Sequence, residues 1–400
     1  MDRIPIQTES GRGRRGFLVS CYLAMFIDYL FYGMWVPLIP AYFPAARDSG
    51  QAGWVVSSYS AGILLFPLVF SLCRGRLTYW RVMFAAAILK CVALALLTAA
   101  DDALLFAAGR VLQGVATAGT WSAAFAFLSS RHPGRGTAAI AGAGAVGAAG
   151  YALGPMLGAW AQEQFSAAAP PLIMACFLSI GVIFCGICKG RNDTTRSDPR
   201  PRERVVHKPA MRRGMPLALL VIATASASWS LIESLLPLRH GHRAAQSLQD
   251  VGTLFTVSSL IAIALTPAVV ALVQRTSEHA AAGIGAALMS GALVVLAFSE
   301  EWGISLAALL SAQIAYQLMF YPMSAQVGQL ACAMGNTSAL SAYGLSNSVY
   351  SLGMLATGGA ETLLGSRCDA TQWMLIASAG IAVVGVGLFV SRRAGSDCGL

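Results

Sequence analysis

Twelve long stretches of mainly apolar residues leave this chain few ways to fold. Crossing the hydrocarbon core of a bilayer takes about 20 apolar residues in a helix. The stretches lie at 17–40, 53–72, 82–100, 103–129, 137–161 and 168–188, then at 216–238, 251–273, 280–299, 304–330, 339–363 and 372–390. Charged residues make up 11% of the chain, against about 25% in soluble domains. The expected class is therefore an all-α membrane protein with twelve transmembrane helices.

Charge placement gives the expected orientation. With the first residue inside, the inner segments hold 21 of the 27 Lys and Arg, and nine of these fall between Lys189 and Arg213. The outer loops hold only Arg47, Arg239, Arg243 and Arg367. This is the positive-inside bias, and it puts both termini in the cytoplasm of a multi-pass protein of the inner (plasma) membrane. It also accounts for the net charge of +9 without a nucleic-acid partner. No cleavable signal peptide is read, because the basic N-terminus leads into a full-length span.

The Arg- and Pro-rich segment 189–215 reads as a cytoplasmic linker. It divides the chain into a tail at 1–16, a six-helix bundle at 17–188, a second bundle at 216–390 and a tail at 391–400. The halves echo each other: WVPLIP closes span 1 and LLPLRH closes span 7. GYALGPMLG in span 5 has a looser counterpart, GMLATGGA, in span 11. Two pseudo-symmetric bundles with a site at their shared interface are a common transporter plan.

Four charges lie well inside spans. Asp28 sits near the middle of span 1, where a carboxylate costs about 2.5–3.5 kcal/mol on insertion scales. It is either a buried structural acid or a proton or cation site. Glu233, in SLIESLLPL, is placed by the Pro37–Pro237 alignment about 7–8 Å nearer the outside than Asp28. It is either a second such stop or an acid reaching the outer interface. Arg110, in RVLQG, needs a counter-charge, and Asp28 is the expected partner. An Arg beside a carboxylate holds it ionised, and withdrawing the Arg lets the acid take up a proton. A purely structural clamp is the alternative. Lys90, near the centre of span 3, is too deep to snorkel, and its partner is not evident from sequence.

Other polar residues define a candidate cavity. Spans 10 and 11 carry Gln313, Tyr316, Gln317, Tyr321, Gln326, Tyr343, Asn347 and Tyr350, amides and phenols suited to a polar organic solute. The wall is expected to include Asp28, Tyr32, Gln113, Trp229, Glu233, Gln317, Tyr321 and Asn347. Span 5 holds Gly150, Gly154, Pro155 and Gly158; the glycines allow close helix approach, and the proline invites a kink. No metal site or cofactor is expected. The Cys185-x-x-Cys188 pair has no second pair, and His240 and His242 stand at a loop edge.

Across essentially its full length the chain resembles the major facilitator superfamily of transporters. RVLQG resembles the superfamily's helix-4 motif, whose Arg is implicated in proton transfer. GYALGPMLG resembles the helix-5 motif typical of exporters. FIDYLFYGMWVPLIP and SLIESLLPL resemble helices 1 and 7 of drug:proton antiporters, in particular the vesicular monoamine transporter-like branch. There the helix-1 Asp and helix-7 Glu contribute to cation recognition, and Asp28 and Glu233 take those places. Two departures stand out. The loop SLCRGRLTYWR has Gly75 where the superfamily has an Asp, and the amides Gln317 and Asn347 stand where the monoamine branch has acids.

The resemblance implies proton-coupled efflux of a small organic molecule by alternating access, with Asp28, Arg110 and Glu233 coupling the proton. The other readings are a dedicated exporter of an endogenous metabolite such as a siderophore, uptake by proton symport, and a membrane enzyme or transport-dead sensor. The five histidines are scattered over loops, which is unlike an enzyme site, and no catalytic residue is assigned. The expected partners are the solute, protons and the lipid bilayer, with a monomer sufficient for function.

Overall fold

The computed structural model describes residues 11–35, 51–72, 78–131, 136–166, 168–188, 209–241, 248–299, 301–334, 339–364 and 370–396. Twelve helices run in chain order: α1 Gly11–Trp35, α2 Gln51–Leu72, α3 Tyr79–Thr98, α4 Ala103–Arg131, α5 Gly136–Gln164 and α6 Ala169–Ile187, then α7 Pro209–Gly241, α8 Leu248–Arg275, α9 Glu278–Phe298, α10 Trp302–Met334, α11 Ala339–Leu364 and α12 Ala370–Ser396. Ten of them, all but α2 and α11, are long and apolar enough within their described residues to cross a membrane. The short connections between most successive helices turn the chain back on itself, so neighbours in sequence run in opposite directions. The face where α1 begins and α12 ends is called the terminal face below. Most of the 189–215 segment and the loop around Gly75 lie outside the described residues.

Local chemistry sets several helix starts. Thr78 caps α3 by accepting from the Arg81 amide at 3.2 Å, and Ser277 caps α9 by accepting from the Ala280 amide at 3.2 Å. Asp102 caps α4 through the Leu105 amide at 2.7 Å. Each cap satisfies an N–H that the helix itself leaves open. Pro67 in α2, Pro155 in α5, Pro267 in α8 and Pro322 in α10 all lie within continuous helices. Buried neighbours in a membrane bundle tolerate such interruptions of the hydrogen-bond ladder.

Within the halves, α1 packs on α5 as α7 packs on α11, and α2 packs on α4 as α8 packs on α10. Glycine makes the α1–α5 seam possible. A Cβ on Gly150 would strike the Phe26 carbonyl oxygen, and one on Gly154 would come within 2.8 Å of the Met34 nitrogen. Gly33 returns the favour: a Cβ there would lie 3.1 Å from the Pro155 ring. The span-5 string thus lays backbone against backbone, where dispersion replaces the missing hydrophobic drive between helices in lipid. In the second half Gly353 sits as closely on Ala223 and Ser226 of α7. The two halves meet through α2 with α11 and α5 with α8, and the candidate site lies between these seams.

Candidate functional site

Two polar clusters lie at different depths of the bundle. The first surrounds Asp28, which is 1% exposed. Its Oδ1 lies 2.6 Å from Lys90 Nζ on α3 and accepts from Thr117 Oγ1 on α4 at 2.9 Å. Its Oδ2 accepts from Trp121 Nε1 at 2.7 Å. Lys90 also donates to Thr120 Oγ1 at 2.8 Å. Thr117 and Trp121 stand one turn apart on α4, so a single helix face supplies a donor to each carboxylate oxygen. Lys90 thus replaces Arg110 as the partner of Asp28.

The depth of each residue explains the exchange. Lys90 and Thr117 are near the midpoints of their helices, level with Asp28. Arg110 is seven residues from Thr117, about 10 Å farther from the terminal face. Counting depth along each span is the sequence signal that could have paired Lys90 with Asp28.

The second cluster is built on Glu233 of α7. Its Oε1 accepts from Tyr151 Oη on α5 at 2.6 Å and from Trp229 Nε1 at 2.8 Å. Its Oε2 accepts from Tyr32 Oη on α1 at 3.2 Å. Two of the three bonds therefore cross from the first half to the second. Arg110 lies beside this cluster and is fully buried. Its guanidinium carbon stands 5.3 Å from the centre of the Tyr32 ring and 4.8 Å from that of Tyr59. Nη1 donates to Gln113 Oε1 at 2.7 Å, while Nε, Nη2 and the Gln113 amide nitrogen have no acceptor. Cation–π contact accounts for much of how this cation is held.

Both clusters border a cavity of about 70 Å³ lined by residues of the two halves. Its wall includes six of the expected residues: Asp28, Tyr32, Trp229, Glu233, Gln317 and Tyr321. Gln113 and Asn347 are not on it. Gln113 is turned to Arg110, and Asn347 Nδ2 donates across the halves to Ser122 Oγ at 3.1 Å and the Ala118 carbonyl at 3.4 Å. Aromatic rings that sequence reasoning did not assign to the wall complete it, among them Tyr29, Tyr59, Trp121, Phe125, Tyr151 and Phe320. Tyr29 is stacked on Trp121 with ring centres 4.8 Å apart. Tyr151 was legible only as the residue beside Gly150 in the glycine string. A cavity of this size has room for a few water molecules, whereas drug-sized sites measure about 300–1,000 Å³.

Cross-bundle bonds lie on both sides of the cavity. Toward the terminal face, Ser129 Oγ and Tyr343 Oη are 2.7 Å apart. Away from it, Thr256 Oγ1 donates to the Ala152 carbonyl at 2.9 Å. Together with the Glu233 cluster, these contacts join the two halves on both sides of the cavity.

The comparisons with known proteins agree with this architecture. The sequence model of the Major Facilitator Superfamily matches residues 21–358. Comparison with curated protein sequences finds no match. Among solved structures, the human organic anion transporter MFSD10 (TETRAN) superposes with a TM-score of 0.71 at 16% identity, covering 94% of this chain and 99% of that one. The E. coli fucose:proton symporter FucP gives 0.69 at 14% identity, covering 94% and 98%. The POT family transporter PepTSo gives 0.68 at 14% identity, covering 96% and 98%. At these identities the likeness shows the fold alone.

Proposed function

Because the chain belongs to the Major Facilitator Superfamily, we propose that it is a secondary transporter that exports a small organic molecule in exchange for protons. The membrane is the inner (plasma) membrane, both termini are cytoplasmic, and a single chain suffices. The terminal face is then the cytoplasmic one.

One observation carries the reading. Glu233 is a titratable group whose hydrogen bonds from Tyr32 and Tyr151 bridge the two halves. Ionised, it accepts three bonds and holds the outer side shut. Protonated, it loses charge and acceptor capacity, and that side is released. Asp28, held by Lys90, Thr117 and Trp121 on the cavity wall, is the second proton stop. Its protonation frees Lys90 from the ion pair. Arg110 keeps the Tyr32 and Tyr59 rings in place and compensates Glu233 from behind them. Alternation of the halves between their two faces then couples proton entry to solute exit. The export direction rests on the resemblance of GYALGPMLG to the exporter motif.

The test is efflux from proteoliposomes under an imposed pH step, with a fluorescent solute. Transport is expected from the parent protein, and pH-driven efflux is expected to disappear in Asp28→Asn and in Glu233→Gln. Coupling that persists in both variants overturns the assignment. A second reading, export of an endogenous metabolite such as a siderophore, is favoured by the Gln313 and Gln317 amides on the wall. Deleting the gene and finding the secreted metabolites unchanged removes that reading and leaves the first.

A further inference from the structure

The two carboxylates on the cavity wall suggest a cationic cargo, but the charges behind the wall argue otherwise. Asp28 lines the cavity, while Lys90, 2.6 Å from it and 2% exposed, does not. Glu233 lines the cavity together with Tyr32 and Tyr59. Arg110 lies over both of those rings and is absent from the wall. Among the described residues, these four are the charged side chains in the middle of the bundle, and their formal charges cancel.

A cationic guest faces three obstacles. Its own charge has no counter-ion in this set, and an unpaired buried charge is costly. Both carboxylates are already occupied by neutral donors, Thr117 and Trp121 on one and Tyr32, Tyr151 and Trp229 on the other. The Tyr32 and Tyr59 π-systems are already engaged by a guanidinium, which weakens their attraction for a second cation. An anionic guest meets carboxylate oxygens first, with the compensating cations held behind them. What the wall offers without an unpaired charge is uncharged: the edges and remaining faces of Trp121, Trp229, Tyr316 and Phe320, and the Gln313 and Gln317 amides. These amides hydrogen-bond Ser258, Ser259, Thr266 and the Ala262 carbonyl and exchange those neutral bonds for a guest's at little cost. Ring stacking and edge contacts reward a flat aromatic guest whether or not it is charged.

We propose that the cargo is an uncharged aromatic molecule carrying hydrogen-bonding groups. This deepens the transport reading above and rests on it for the word cargo, but the binding preference is tested separately. Lys90 is a specificity-determining residue in this scheme although it does not touch the guest. It cancels the charge of Asp28.

The experiment uses three probes with one ring system: 9-anthracenemethanol, the matching 9-anthracenylmethyl trimethylammonium, and 9-anthracenecarboxylate. An anthracene ring is larger than the cavity of about 70 Å³, so the probes enter as the halves part; each is titrated at pH 7.5 into the purified full-length protein. Energy transfer from tryptophan is the readout, since Trp121 and Trp229 line the cavity. The alcohol is expected to bind at least 10-fold tighter than either charged probe. Lys90→Gln leaves a net negative wall and is expected to shift the preference at least 10-fold toward the ammonium probe. The double variant Asp28→Asn/Lys90→Gln restores neutrality and is expected to return the preference to the alcohol.

A tighter ammonium or carboxylate in the parent protein overturns the proposal. So does equal affinity for all three, or no binding of any. The parent titration decides this even if a variant fails to fold. If the alcohol binds as expected but no probe crosses proteoliposome membranes under a pH step, the transport reading fails and the charge preference stands.

Discussion

Replacing Glu233 by Gln should loosen the side of the bundle away from the terminal face, by an amount the geometry bounds. Tyr151 and Tyr32 donate to Glu233 at 2.6 and 3.2 Å, and both bonds cross between halves. A hydrogen bond to a charged group contributes about 1.5–3 kcal/mol, so the pair biases the closed arrangement by about 3–6 kcal/mol. Gln has one acceptor oxygen and no charge. It keeps the Tyr151 bond at neutral strength, about 0.5–1.5 kcal/mol. The net loss is about 2.5–4.5 kcal/mol, which shifts the closed-to-open ratio by about 60-fold to 1,600-fold at 1.4 kcal/mol per decade. The assay is alkylation of Ala148→Cys, on the cavity wall, by a membrane-impermeant maleimide, with labelling of the native cysteines subtracted. While the closed form dominates, the rate follows the open population and should rise by about 60-fold or more in the Gln variant. Acidification that protonates Glu233 acts in the same direction in the parent: the lock is present while Glu233 is ionised and is lost as pH falls. The Gln variant should show no such pH response. Trp229→Phe is the control, because the Trp229 bond lies within α7 and its loss should change the rate less than about threefold. An unchanged rate in Glu233→Gln refutes the reasoning.

Lys90→Met leaves the buried Asp28 carboxylate with Thr117 and Trp121 alone and should cost about 3–5 kcal/mol, read as reduced resistance of the purified protein to unfolding in SDS. The double variant Asp28→Asn/Lys90→Met should recover most of that loss; simple additivity of the two single variants would show that the pair is not coupled. Gly150→Ala forces a methyl against the Phe26 carbonyl and should cost about 1–3 kcal/mol in the same assay. Gly291→Ala, with open space around the new methyl, should be neutral or slightly stabilising, and equal effects at the two positions would contradict the glycine seam. Tyr343→Phe removes the Ser129 bond and should favour opening at the terminal face by about 1 kcal/mol, seen as roughly fivefold faster labelling of Ala148→Cys from that side.

Hydropathy and charge, both properties of local sequence, were enough to place twelve helices and to single out Asp28, Lys90, Arg110 and Glu233 as charges sunk in apolar spans. Glycine spacing in GYALGPMLG marked a helix built for close approach, because the absence of a Cβ has the same meaning in any fold. Partnership was decided elsewhere. Asp28 meets Lys90 across 62 residues of chain, and Glu233 meets Tyr32 across 201. Such pairings depend on the depth and rotation of each helix, which packing against neighbours fixes. The same rotation turned Gln113 toward Arg110 and Asn347 toward α4, away from the cavity, although their polarity marked them for its wall. Sequence determined which groups are too costly to leave unpaired in lipid; only the packed bundle decided which neighbour meets each of them, because side chains interact over a few ångströms of space rather than along the chain.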